Sequence, residues 1–209
     1  MGETKASIRA AALRRRDSLS ATAREQKSRL IQSRAVEFRV YGDSAAVALY
    51  SATGSEVATE LIRDHALRAG KELFYPSVAP EGSLRWNRCR LATDFVRGRY
   101  GILEPAGSDY RTSLEAAGLV VFVPGVAFDL LGGRLGRGQG WYDRALASFG
   151  GAVHTIGLAY ETQLEEGPIP TDTWDQRVEY LITEGRIVDC RDRPLTSAVP
   201  ETLSMKRGC

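Results

Sequence analysis

Two hydrophobic rhythms alternate along this chain, and their alternation predicts a layered α/β fold. Residues 4–16, rich in Ala and Arg, read as a first helix, and Ser18 or Ser20 caps a second running to about Phe38. Ala45–Tyr50 (AAVALY) is an uninterrupted apolar run fit for a buried strand. Ser55 precedes a helical stretch, Glu56–Arg68, with Val57, Leu61, Ile62 and Leu67 as its buried stripe and Ala69-Gly70 as its end. Further strands are expected at Glu72–Tyr75, closed by Pro76, and at Leu84–Leu91, with Trp86 on one face. Leu119–Val123 (LVVFV) is the strongest buried-strand candidate, and Pro124-Gly125 stops it. A helix from about Gly140 to Ser148 and strands at Val153–Ala159 and Val178–Thr183 complete the set. Short apolar strands alternating with helices predict a mostly parallel sheet. Ligands in such sheets bind beyond the carboxyl ends of the strands.

Composition narrows the class further. The 209 residues fit one domain, expected over residues 1–188. The polar stretch 189–209, with Pro194 and Pro200, reads as a flexible extension. A net charge of +2 argues for neither a nucleic-acid nor a membrane partner. Cations do gather in the first forty residues, from Lys5 and Arg9 to Arg34 and Arg39, which leaves an RNA-binding module as a minor alternative. No apolar run approaches the roughly 20 residues that cross a bilayer, and the chain opens on no apolar signal segment. Cys89, Cys190 and Cys209 are odd in number and widely spaced, so a reducing cytoplasm is the expected location. His65 and His154 are too few for a zinc site and read as structural or exposed. A monomer is the default, because no long apolar surface helix is evident.

The chemistry concentrates in Gly132–Asp143, GGRLGRGQGWYD. Gly136, Gly138 and Gly140 stand at every second position, where they admit close ligand approach and positive-φ backbone. Arg134 and Arg137 add positive charge, and the loop opens toward a helix N-terminus, an arrangement that suits phosphate. Asp143 stands where a carboxylate would hold the Mg²⁺ of a nucleotide. A plain tight turn is the alternative. The spacing matches neither a Walker A loop, since no Gly-Lys-Ser/Thr follows, nor a G-x-G-x-x-G dinucleotide fingerprint.

Val123–Leu146, VPGVAFDLLGGRLGRGQGWYDRAL, resembles the signature of the 5-formyltetrahydrofolate cyclo-ligases, with its Pro-Gly-hydrophobic-small-Phe-Asp turn followed by Arg-Leu-Gly-x-Gly-x-Gly-Tyr-Tyr-Asp. Lys5 and Arg9 match a Lys-x-x-x-Arg pair, Glu56–Thr59 a Glu-Val-Asp-Thr, and Tyr100–Pro105 an aromatic-Gly-Ile-Leu-Glu-Pro. Gln163, Pro170, Asp175 and Ile182-Thr183-Glu184 fall in the same order as in the family, so the likeness spans roughly residues 4–186. It implies a three-layer α/β/α sandwich like that of sugar-phosphate isomerase and CoA-transferase domains. The implied reaction closes 5-formyltetrahydrofolate to 5,10-methenyltetrahydrofolate with ATP and Mg²⁺, releasing ADP and phosphate.

Roles follow from that resemblance. Lys5, Arg9, Arg134 and Arg137 would engage the ATP phosphates, with Lys5, Arg134 and Arg137 at the reacting group. Leu135, Gly136, Gly138, Gln139, Gly140, Trp141 and Tyr142 would complete the ATP site, with Gly136–Trp141 supplying backbone donors. Asp143, with Asp175 second, would bind Mg²⁺. Glu56, Tyr50, Tyr100 and Trp141 would contact the folate, and Tyr75 and Trp86 are further candidates for an apolar slot. Each has a plainer alternative: a solvated basic helix for Lys5 and Arg9, a helix first-turn acid for Glu56, a cap or surface acid for Asp175, and the core for the aromatics. Trp141 replaces the first tyrosine of Tyr-Tyr-Asp, Gln139 a usual glycine or lysine, Trp174 a frequent histidine, and Ala58 an aspartate. These changes leave two further alternatives: a relative diverted to another formyl or amide substrate, and a folate- or nucleotide-binding protein without turnover.

Overall fold

The computed structural model describes residues 4–79, 81–90, 95–98, 101–106, 109–112, 114, 118–149 and 153–191. Helix α1 (Lys5–Asp17) starts at a capping box, in which the Thr4 hydroxyl accepts the Ser7 N–H and the Ser7 hydroxyl accepts the Thr4 N–H. Arg14, Arg15 and Arg16 in its last turn complement the helix dipole. Helix α2 (Ala21–Glu37) is capped by Ser20, and a short α3 (Arg39–Gly42) leads to β1 (Ala46–Ala48).

Helix α4 (Glu60–Arg68) begins four residues later than the sequence pattern predicts. Two local bonds explain the delay. The Glu56 carboxylate accepts the N–H and hydroxyl of Thr53, holding residues 53–56 as a turn. The N–H of Leu61 is capped by the Gln32 amide oxygen, reaching over from α2. Ile62 and Ala66 form the buried face of α4, whereas Leu61 is exposed.

Strand β2 (Glu72–Val78) runs through Pro76 rather than ending there. Proline is tolerated because β1 pairs no further than Phe74, so that Pro76 is paired only on the side of β3 (Leu84–Cys89). The two-stranded flap β4 (Phe95–Arg97) and β5 (Leu103–Pro105) follows, then β6 (Tyr110–Arg111) and β7 (Leu119–Val123). Strands β8 (Ala127–Asp129) and β9 (Arg134–Leu135) form a hairpin, and α5 (Trp141–Ala147), β10 (Val153–Leu158), β11 (Leu164–Glu165), β12 (Tyr180–Ile182) and β13 (Ile187–Asp189) complete the chain.

The main sheet has the order β13-β12-β10-β7-β1-β2-β3-β6. Its centre, β12 to β2, is parallel, and the antiparallel strands lie toward its two edges. The residues of β7 alternate between two cores. Val120 and Phe122 pack with Ile31, Ala35, Ile62 and Ala66 of α2 and α4, while Leu119, Val121 and Val123 pack toward Ala145 and Leu146 of α5. Helices thus cover both faces, giving the expected three layers. A third cluster joins Ile8 and Ala12 of α1 to Ala127, Leu135 and Ile169. Asp189 ends β13, and the buried Cys190 donates its N–H to the Glu179 carbonyl at 2.8 Å, so the packed chain continues past residue 188. Residues 192–209, with Cys209, lie outside the described residues. No helix among the described residues is long and apolar enough to cross a membrane.

Candidate active site

Strand β1 has β2 on one side and β7 on the other, so the chain leaves it in one direction and returns in the opposite one. Such a reversal opens a crevice at the carboxyl ends of the two strands. A cleft of about 650 Å³ lies there, lined by the segment after β1 (Tyr50, Thr53, Glu56), the segment after β7 (Pro124, Gly125, Val126) and the glycine loop. This volume suits a small-molecule site.

The first half of the glycine loop is the β8–β9 hairpin, which one buried carboxylate organises. Asp129 accepts the N–H groups of Leu131 and Gly133 on Oδ1 and that of Ile169 on Oδ2. Gly132 has φ +83°, and a Cβ on it would stand 2.2 Å from the Val178 carbonyl oxygen. Gln163, also buried, donates to the carbonyls of Gly125 and Val126 and accepts the Tyr160 N–H, fixing the other wall. The Phe-Asp pair and Gln163 belong to the family pattern, but sequence reasoning gave neither residue a task; their full burial supplies one.

The second half of the loop leaves its amides open to the cleft. Gly138 and Gly140 take the expected left-handed backbone, at φ +93° and +63°, whereas Gly136 does not. Among the described residues no protein acceptor takes the N–H groups of Gly136, Arg137, Gly138, Gln139 or Gly140. Gly140 then starts α5, a helix of 7 residues.

Four cations surround these amides. Lys5 and Arg9, one turn apart on α1, both line the cleft. Arg9 Nε donates to the Gly136 carbonyl at 2.8 Å. Lys5 Nζ lies 2.6 Å from Asp172 Oδ2 and 2.5 Å from Asp175 Oδ2. Arg134 is buried, its side chain 3% exposed, and donates through Nη2 to Asp143 Oδ1 at 2.7 Å. Its guanidinium lies over the Tyr142 ring, and its Nε has no protein partner. Arg137 extends into the open, with Nη2 3.0 Å from Glu56 Oε1 and 2.8 Å from Thr53 Oγ1.

Asp143 and Asp175 both line this end of the cleft. Among the described residues, hydrogen bonds to Asp143 fall on Oδ1 alone, from Arg134 and the Gln176 N–H. Those to Asp175 from the described residues fall on Oδ2 alone, from Lys5 and the Asp172 N–H. Asp175 is therefore neither a helix cap nor a free surface acid. No group of three or more metal-ligating side chains assembles among the described residues. This donor set fits Mg²⁺, which takes one or two carboxylates and completes its shell from water and substrate phosphates.

Beyond the cationic end, the wall turns apolar with Pro76, Val78, Leu84 and Ile102. Tyr50, Leu135, Trp141 and Tyr142 join the lining. Burial pushes the Tyr50 and Tyr142 hydroxyls well above the ordinary tyrosine value, with the Glu56 charge adding to the rise, so both stay neutral. The Tyr50 hydroxyl donates to the Val57 carbonyl at 2.8 Å. Tyr75 and Trp86 are not slot residues: Tyr75 packs edge-on to Phe95, and Trp86 is buried against Tyr142 and Phe149. Tyr100 lies outside the described residues. His65 pairs with the Tyr41 hydroxyl and His154 with Glu179, both away from the cleft. Many cations of the N-terminal stretch are engaged internally, Arg15 by Glu165 and Lys27 by Glu184, which weakens the RNA alternative.

Fold and site together define a layered α/β protein with a cation-lined cleft at its switch point. Residues 1–184 match the 5-formyltetrahydrofolate cyclo-ligase family, and the chain belongs to that family. It is 28% identical over 195 residues to a 5-formyltetrahydrofolate cyclo-ligase of Mus musculus, covering 88% of this chain and 95% of the relative. The Escherichia coli (strain K12) protein of the same name is 30% identical over 170 residues, covering 78% and 92%. The solved structure of Aquifex aeolicus 5,10-methenyltetrahydrofolate synthetase superposes with a TM-score of 0.78 at 31% identity, covering 94% of this chain and 98% of that one. A Mycoplasma pneumoniae 5,10-methenyltetrahydrofolate synthetase shares the fold, with a TM-score of 0.66 at 20% identity. Family membership makes the chain an enzyme of the cyclo-ligase class.

Proposed function

We propose that this protein converts 5-formyltetrahydrofolate to 5,10-methenyltetrahydrofolate, with ATP cleaved to ADP and phosphate. The observation that carries this assignment is the row of unclaimed amides from Gly136 to Gly140, ringed by Lys5, Arg9 and Arg137 and continuous with an apolar slot. One end of the cleft suits a triphosphate and the other a flat, largely apolar ring system.

The chemistry asks for positioning and charge neutralisation more than for a protein nucleophile. A formamide oxygen is a poor leaving group. It attacks the γ-phosphorus, ADP departs, and the oxygen becomes part of a phosphate ester. The neighbouring folate nitrogen then attacks the formyl carbon, loses its proton, and phosphate leaves with that oxygen. The loop amides and Arg137 hold the phosphates and stabilise charge as it builds on the transferring group. Lys5 neutralises the same end. Arg134, buried beneath the cleft, orients Asp143 through its Nη2. Asp143 and Asp175 would hold Mg²⁺, which supplies charge neutralisation on the phosphate oxygens. Glu56 faces the folate once Arg137 turns to the nucleotide.

The test is ADP release by the purified protein. Release that requires 5-formyltetrahydrofolate, mole for mole with its disappearance, supports the assignment. Release indifferent to the folate contradicts it.

A further inference from the structure

We infer that Trp174 is the stacking platform for the nucleobase of ATP, an assignment that rests on the ATP-dependent reaction proposed above. Trp174 is 66% exposed, yet it lines the cleft. An indole left in water on a rigid support is a characteristic binding element, because its large flat face adds contact area at small entropic cost.

The support is rigid on both sides. Before the indole, the Asp172 N–H donates to the Asp175 carboxylate at 2.8 Å, and Asp172 also pairs with Lys5. Behind it, the Asp175 N–H donates to the Asp172 carbonyl at 3.1 Å, and the Gln176 N–H donates to Asp143 Oδ1 at 3.1 Å. The turn that carries Trp174 is thus tied to the same Lys5, Asp143 and Asp175 that form the phosphate end.

This placement selects the ligand ring. A folate ring would lie along the apolar wall of β2, β3 and the β4–β5 flap, formed by Pro76, Val78, Leu84 and Ile102. Trp174 belongs to the segment between β11 and β12, beside the phosphates and open to solvent. A nucleoside triphosphate held by its phosphates in the glycine loop projects its base from that end toward the mouth. Stacking is tolerant of base identity, so Trp174 adds affinity for a purine without reading its edge.

The experiment measures, by calorimetry in the presence of Mg²⁺, the affinities of ATP and of inorganic tripolyphosphate, which has no base. Trp174→Ala is expected to weaken ATP binding about tenfold, the fold-change of a lost aromatic–base stack, and to leave tripolyphosphate binding and the melting temperature unchanged. Trp174→Phe is expected to recover most of the loss. Equal effects on both ligands, or no effect on ATP, would overturn the inference. Wild-type protein that binds ATP through Trp174 but does not turn over the folate would overturn the proposed reaction and keep the inference. Wild-type turnover with unchanged ATP affinity in Trp174→Ala would do the reverse. Wild-type protein that binds no ATP would overturn both.

Discussion

Arg137 reaches from the glycine loop to Glu56 on the segment after β1, closing a 3.0 Å ion pair across the cleft. Glu56 is 12% exposed and Arg137 61%. The acid is fixed by Thr53, while the base stands exposed at the mouth of the cleft. Under the proposed function, phosphate and Glu56 compete for one guanidinium. Arg137→Ala should lower kcat/KM for ATP by about 10²–10³, the cost of one lost transition-state donor. Its melting temperature should stay near that of the wild type, because the side chain is exposed. Arg137→Lys keeps the charge and loses the fork, so it should fall between the two. Steady-state kinetics beside thermal melts check this; near-normal kcat/KM in Arg137→Ala would remove Arg137 from the site.

Asp143 pairs with Arg134 and is proposed to hold Mg²⁺, and one substitution separates the two roles. Asp143→Asn leaves the buried Arg134 without its counter-ion, which in a buried pair costs about 3–5 kcal/mol. The melting point should drop by several degrees, and the Mg²⁺ concentration for half-maximal rate should rise. A Mg²⁺ titration on folded variant, below its melting point, reads the second effect without the first. A lower melting point with an unchanged titration would leave Asp143 a purely structural role.

Gly132 and Gly54 both have positive φ, at +83° and +61°, but only Gly132 is crowded. Gly54→Ala meets no atom within 4 Å and should cost about 1–2 kcal/mol, the left-handed penalty alone. Gly132→Ala adds a contact of 2.2 Å with the Val178 backbone, and its hairpin must shift to relieve it. Urea unfolding should rank Gly132→Ala well below Gly54→Ala. Equal stabilities would mean that the hairpin yields freely.

The Lys5–Asp175 pair sets a pH window. Burial pulls Asp175 toward its neutral form, but the Lys5 ammonium and the Asp172 amide outweigh it and hold the carboxyl below its ordinary 3.8. Burial likewise opposes the charge on Lys5, and Asp172 and Asp175 overcome it, raising the ammonium above 10.5. A depressed acid contributes its full stability above the unfolded value and loses it as pH falls through the folded one. A raised base contributes below its unfolded value and loses it as pH rises through the folded one. Lys5→Gln should therefore melt below the wild type from about pH 5 to pH 9, with the gap closing in acid. Melting curves across pH test this, and a gap that persists once Asp175 is protonated would contradict it.

What the sequence revealed, and what it hid, follow one physical division. The run Leu119–Val123 was legible because a central parallel strand is apolar on both faces, and the structure places that strand at the residues expected. The glycine loop was legible because its backbone demands glycine at Gly138 and Gly140. The start of α4 was not, because its cap comes from Gln32 on another helix. Nor was the burial of Arg134, because its partner Asp143 comes beside it only when the loop folds. Trp86 and Tyr75 looked like slot residues because aromatic identity does not tell core from cleft. Asp129 and Gln163 had motif positions but no task, since each joins a local turn to a backbone group about forty residues away, Asp129 to the Ile169 N–H and Gln163 to the Val126 carbonyl.

The central claim is tested most directly by the absorbance of 5,10-methenyltetrahydrofolate formed from 5-formyltetrahydrofolate by folded protein, with ATP and Mg²⁺ together, each alone, and neither. Product in the complete mixture and in none of the others is the predicted result. No product from the complete mixture, or product at the same rate without ATP, would contradict the account.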